Sequence, residues 1–197
     1  MIVFLSKKVF QFIAIFMNRR KIERKINIKI NSIMGGGILP IAIKDNKYYV
    51  LLGRERIDMQ WRDSGKWSDF GGSKENKETE YETAIREGAE ETCGIYGDKK
   101  NIKHIIDNYC YDVMKLKNYS TFLVHVNYNS MMPYKFNKIY RDALKRTPQL
   151  VYDDNGLYEK DKIRWVCVDD LNTFSKHSRF WFRPVIRQIY NKYRTTF

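Results

Sequence analysis

The sequence predicts an α/β (α+β) domain built on a mixed β-sheet. Three observations carry that expectation. Short strand-like apolar runs occur both before and after a helical stretch at residues 79–92. A second helical stretch closes the chain. Glycine-rich and Asp/Asn-rich breaks separate these runs, and no internal repeat is visible. Strands on both sides of one helix, with another helix at the end, is the order of a layered α/β or α+β fold.

The elements follow in order from residue 34. Ile38–Ile43 and Tyr48–Leu52 read as strands joined at the turn-forming pair Asp45-Asn46. Trp67-Ser68-Asp69-Phe70 reads as a short strand broken by Gly71-Gly72. Thr79 is a suitable N-cap for a helix reaching about Thr92, with Glu80 and Glu82 in the first turn where the helix dipole favours acids. Cys93-Gly94 ends it, glycine being the usual residue just past a helix end. Strands are expected near Ile105–Val113 and Thr121–Tyr128. Residues 130–157 read as an insertion whose IYRDALKRT portion suits a short helix. Ile163–Val168 is a further strand, and the final helix spans about Pro184 to Tyr193, with Pro184 in its first turn.

Residues 1–33 stand apart as a basic and apolar N-terminal extension, leaving 34–197 as the folded domain. The extension holds eight Lys/Arg against one acid, a net +7 of the chain's +13. Its longest uninterrupted apolar stretch, Phe12 to Met17, is far short of the ~20 residues a membrane span needs. The basic cluster NRRKIERK follows the apolar run instead of preceding it, which argues against a cleaved signal peptide. A helix lying on an anionic membrane surface is compatible with this pattern but not favoured over an extension packed on the body. The three cysteines form no C-x-x-C or Cys/His cluster, which argues against a zinc site and a disulfide scaffold and fits a reducing, cytoplasmic compartment. The overall basic charge favours polyanionic partners, RNA among them.

Against that charge, one segment is acidic. Glu87, Glu90 and Glu91 are spaced i, i+3 and i+4, so a helix projects them together. Like charges at this spacing repel by ~0.2–0.5 kcal/mol per pair, and a divalent cation reverses the sign. Carboxylate oxygens suit Mg²⁺ and Mn²⁺. A solvated acidic helix face is the bland alternative for these three residues alone.

The wider spacing carries more. From Gly72, five residues lead to Glu78, seven more lead to Arg86-Glu87, and Glu90-Glu91 follow after Gly88-Ala89. This resembles the Nudix box, G-x5-E-x7-R-E-U-x-E-E-x-G-U with U apolar. A strand precedes the glycines, as in that family, and KIRWVCVDDL resembles the strand and helix start that often follow the box. Two positions depart. Gly88 stands where U is apolar, and Thr92-Cys93-Gly94-Ile95 is one residue longer than the family pattern.

The resemblance implies a Nudix-like α/β/α sandwich. It also implies metal-dependent hydrolysis of a pyrophosphate bond in a nucleoside diphosphate linked to another moiety: a nucleotide, a nucleotide sugar or capped RNA. It assigns Glu87, Glu90 and Glu91 as ligands of Mg²⁺ or Mn²⁺, with a backbone carbonyl at Gly72. Glu87 would orient or deprotonate water, Arg86 would hold the glutamates, and Glu78 is the family's loop glutamate. A later-loop acid is expected from among Asp153, Asp154 and Glu159. Arg54 and Arg56 are candidate phosphate contacts, and Trp61, Tyr111 and Tyr128 are candidates for base stacking. The Lys-, Asn-, Ile- and Tyr-rich composition is of the kind AT-rich genomes produce, including those of large DNA viruses, some of which carry Nudix decapping enzymes. A catalytically weak Nudix-like module that binds nucleotide or RNA is the alternative from another functional class.

Overall fold

The computed structural model describes residues 34–57, 61–153 and 156–195. The expectations for residues 1–33, including the membrane-surface helix, and for Asp154 lie outside the described residues. Strands β1 (Gly35–Lys44) and β2 (Lys47–Glu55) form an antiparallel hairpin across Asp45-Asn46, both at positive φ. This is the two-residue turn with both central residues left-handed, which matches the twist of the paired strands. β3 (Trp67–Ser68) pairs with β2, and β4 (Phe70–Ser73) pairs with β1. Helix α1 (Glu80–Glu91) follows, then α2 (Lys99–Tyr109), β5 (Cys110–Lys115) and β6 (Tyr119–His125). Helices α3 (Met132–Arg146) and α4 (Pro148–Tyr152) precede β7 (Lys160–Cys167). Short α5 (Leu171–Phe174) and the closing α6 (Arg183–Tyr193) complete the described chain.

The sheet is mixed. β1 runs parallel to β6, while its pairings with β2 and β4, and those of β2 with β7 and of β5 with β6, are antiparallel. Both faces are covered, so β1 is buried along Gly35–Ala42 and reads as a continuous apolar run. Its side chains alternate between two cores. Leu39 and Ile41 join Val50, Leu52, Val166 and the α6 residues Val185, Ile186 and Ile189. Ile38 and Ala42 join Leu51, Ile163, Ala84 of α1, Ile102 and Ile106 of α2, and Phe136 of α3. The result is the expected α/β/α sandwich.

Three local expectations change. The strand expected at Ile105–Val113 is mostly helix, and β5 starts only at Cys110. Asp98 caps α2 reciprocally with Asn101, and Ile102 and Ile106 recur at the helical spacing, so the apolar period here is that of a helix. Gly71-Gly72 does not break its strand. Both residues lie inside β4, paired with Gly37 and Gly36 of β1, where missing side chains let the two backbones close up. The short helix expected around IYRDALKRT runs the whole of Met132–Arg146, started by Pro133 in its first turn and anchored by buried Phe136.

Candidate active site

Helix α1 positions the site. Thr79 caps it through a reciprocal capping box: its hydroxyl accepts from Glu82 N at 3.2 Å, and the Glu82 carboxylate accepts from Thr79 N at 2.8 Å. The helix packs on β1 and β4 through Ala84 and Gly88. A Cβ on Gly88 would stand 3.0 Å from Ile38 Cδ1 and 3.2 Å from Ile102 Cγ2, so glycine here lets the helix sit closer to the sheet and to α2 than an apolar side chain would. The extra residue of the box falls beyond the helix. Cys93 and Gly94 take φ of 51° and 73°, and α1 itself ends at Glu91. The spacing of the three glutamates is therefore untouched by either departure.

Arg86 gathers the acids. Its guanidinium donates to Glu78 Oε1 and Oε2 at 2.9 and 3.0 Å, to Glu87 Oε1 at 2.9 Å, to Glu90 Oε2 at 3.2 Å and to the Ser73 carbonyl at 2.9 Å. Glu75 lies 3.6 Å from the same Nη1. Hydrogen bonding to Arg86 holds the Glu78 carboxyl down to about 2. Burial pushes the Glu87 carboxyl up to about 7 despite Arg86 beside it. Gly72 faces Glu87 so closely that a Cβ there would lie 2.2 Å from Glu87 Oε1. The Gly72 carbonyl oxygen lies against Gly35 of β1. Lys99 adds a second cation to Glu90 at 3.3 Å.

Glu91 faces a different environment. Its Oε2 accepts from the Gly71 N–H at 2.7 Å, and its Oε1 pairs with Lys160 Nζ at 3.1 Å. Burial pushes its carboxyl up, but both oxygens face donors, and the acceptor-only carboxylate is the form those contacts fit. Lys160 also binds Glu55 and the Ser68 hydroxyl, the latter at 3.1 Å. Burial works against its charge, yet Glu55 and Glu91 together hold it protonated. Arg179 reaches Glu55 Oε1 at 3.1 Å and Asp63 at 3.2 Å.

Lys160 points inward because β2 and β7 slip register between Arg54 and Glu55. Arg54 pairs with Lys162, but Glu55 pairs with Lys160, so Asp161 bulges out. Such a bulge re-aims a side chain. It also leaves Asp161 to take Arg54 in a two-pronged ion pair at 2.7 and 3.0 Å.

The other expected residues are placed as follows. Arg56 donates to the Val151 carbonyl and stacks over Tyr152, so both it and Arg54 are engaged beside the site. Glu159 comes to the acids: Glu55, Glu91 and Glu159 each offer an oxygen, all within 4.8 Å of one another. Its charge also acts on Glu87. Asp153 closes α4 on the surface. Trp61 lies under Arg179, Tyr111 bonds Tyr48 at 2.7 Å, and Tyr128 packs edge-on against Tyr49. Glu55, Lys160 and Arg179 had no signal at fixed spacing, being brought together over 105 and 124 residues of chain.

The donor set fits a divalent cation at one end. Glu87 and Glu90 share a single guanidinium nitrogen, leaving oxygens whose charge Arg86, itself split among four acids, does not balance. All-oxygen donor sets with several carboxylates suit Mg²⁺ and Mn²⁺.

No protein-family model and no curated protein matches the chain. Among solved structures it is similar to a C. elegans Ap4A hydrolase, with TM-score 0.44 and 15% identity over 81% of this chain and 97% of that one. It is also similar to the Nudix hydrolase RenU from M. smegmatis, with TM-score 0.40 and 13% identity over 80% and 84%. A mutT/nudix family protein from Listeria innocua matches with TM-score 0.40 and 11% identity over 80% and 89%. Likenesses this distant assign no activity, and the functional reading rests on the residues of the site. Among the described residues no helix is long and apolar enough to cross a membrane.

Proposed function

We propose that residues 34–197 form a Nudix-type pyrophosphohydrolase domain that cleaves a pyrophosphate bond in a nucleoside diphosphate linked to another moiety. The observation that carries this is the convergence on Arg86 of Glu78, Glu87 and Glu90, three acids whose spacing alone marked them, with Gly72 pressed against the Glu87 carboxylate. Mg²⁺ or Mn²⁺ is the implied cofactor, held by Glu87 and Glu90 with Glu159 at hand. When bound, such an ion neutralises charge on the phosphate and lowers the pKa of attacking water. Arg86 keeps Glu87 and Glu90 on one side of the helix, and Glu78 orients Arg86. Glu87, buried and with its proton held up to about 7, is the group placed to hold or accept a water proton. The net charge of +13 favours a substrate with several phosphates, and capped RNA gains most from it because phosphate contacts add along the strand.

The test is release of phosphate or nucleoside monophosphate from a panel of dinucleoside polyphosphates, nucleotide sugars and capped RNA, with Mg²⁺ or Mn²⁺. Glu87→Gln is expected to lower the rate about 10²–10⁴-fold, the scale of a lost general base. Turnover of no substrate, or turnover indifferent to Glu87→Gln and Glu90→Gln, overturns the reading. Nucleotide binding without turnover would leave a binding module.

A further inference from the structure

We propose that Lys160 is the resident cation of the Glu55–Glu91 end of the acidic face, and that Glu91 therefore positions the box glycines instead of ligating the metal. This rests on the Nudix reading above and departs from the role that the spacing gives Glu91.

Glu55, Glu91 and Glu159 form a close acid group, with oxygens within 4.8 Å of one another. Taken alone, that geometry suits an ion. An ammonium already fills it. The Lys160 side chain is 0% exposed, donates to Glu55 Oε1 and to Ser68 Oγ at 3.1 Å, and forms an ion pair with Glu91 Oε1 at 3.1 Å. A lysine ammonium is a donor-only group, and two carboxylates and a hydroxyl are the partners that suit it. Arg179, at 3.1 Å from Glu55 and 3.2 Å from Asp63, adds a second cation beside this group. A divalent ion approaching Glu91 Oε1 would meet the ammonium on the same oxygen. The other oxygen, Oε2, is held by the Gly71 N–H at 2.7 Å. Glu91 thus ties α1 to β4 at the glycine pair and presents no free oxygen. Glu87 keeps an oxygen beyond its Arg86 contact, the second oxygen of Glu90 meets only the exposed Lys99 at 3.3 Å, and Glu159 is the acid beside both ends.

The experiment is Mn²⁺ titration of the full chain by calorimetry and by the electron paramagnetic resonance of free Mn²⁺, paired with melting temperatures in the metal-free state. Glu90→Gln should weaken Mn²⁺ binding at least about tenfold, the scale on which even outer partners of a metal act. Glu91→Gln should leave Mn²⁺ affinity within about threefold of wild type, well inside that scale, and lower the metal-free melting temperature, because Lys160 loses its counter-charge. Lys160→Met should bind one more Mn²⁺ than wild type, and Mn²⁺ should raise its melting temperature more than that of wild type. The proposal is overturned by Glu91→Gln weakening Mn²⁺ as much as Glu90→Gln does, or by a folded Lys160→Met that binds no additional ion. Should Lys160→Met be recovered only unfolded, the Glu91→Gln titration decides. Absence of Mn²⁺ binding in wild type overturns the metal-dependent reading itself, a result separable from the others.

Discussion

Glu90 and Glu91 are neighbours in sequence and carry the same side chain, yet α1 delivers them into opposite conditions. Glu90 is partly exposed and shares Arg86 with Glu87 and Glu78, so acid exceeds base there. Glu91 is buried and held by the Gly71 N–H and by Lys160, a cation buried with it that also holds Glu55. The difference teaches that spacing puts carboxylates on one face, while the elements packed against that face decide which of them remain open to an ion. Removing one member of a buried ion set leaves a charge without compensation, whereas a partly exposed acid regains water.

The strongest way to break this comparison is to empty the buried end. Lys160→Ala should cost about 3–5 kcal/mol in urea unfolding, because Glu55 and Glu91 are left facing each other out of water. A loss under about 1 kcal/mol, the range of exposed pairs, would mean the two ends are alike after all.

A smaller effect separates cation-paired acids from acids held only by hydroxyls. Asp69 is fully buried, accepts from Thr121 Oγ1 at 2.7 Å and from Tyr119 OH at 3.2 Å, and its carboxyl is pushed up to about 6 by burial. An acid that holds its proton more tightly when folded favours folding at low pH. That contribution is lost as pH rises from the unfolded value of 3.8 through 6. Asp69→Asn should therefore be less sensitive than wild type to a rise from pH 4.5 to pH 7, by about 1–3 kcal/mol in urea unfolding. An unchanged pH profile would show that the neighbouring cations, Lys160 and Arg179, already hold Asp69 ionised.

The smallest expected change sharpens the open end. Gly72→Ala places a methyl 2.2 Å from Glu87 Oε1 and so must turn that carboxylate. Mn²⁺ affinity should fall about tenfold, some 1.4 kcal/mol, with the Glu91–Lys160 pair and the metal-free melting temperature changed much less. Equal effects on metal affinity and on stability would mean that Glu87 and Glu91 act as one unit.

Much of this was legible in the chain. Residues whose partners lie within one helix or one turn were readable: the Thr79 cap, the common face of Glu87 and Glu90, the Asp45-Asn46 hairpin, the final helix. Their geometry follows from fixed periods of 3.6 and 2 residues and from local backbone preferences. The α2 segment departs from the expected strand because a run with Ile102, Ile105 and Ile106 suits a strand edge as well as a helix, and the Asp98–Asn101 cap that settles it is a contact between side chains and backbone. Gly88 departs from the apolar residue of the family pattern, and the reason glycine suits it lies in Ile38 and Ile102 standing against it.

Sequence periodicity thus set the strands, the box helix and the face its acids share. The assignment of Lys160 to the interior came from elsewhere. Simple alternation along β7 groups it with Lys162 and Arg164, both exposed. A single bulged residue at Asp161 reverses that, turns the ammonium onto Glu55 and Glu91, and joins residues 105 positions apart. A bulge depends on how two strands meet, and burial depends on what closes over them. Neither is a property of one segment, so the balance of charge around Glu91 arose only when β2, β7, α1 and Arg179 packed together.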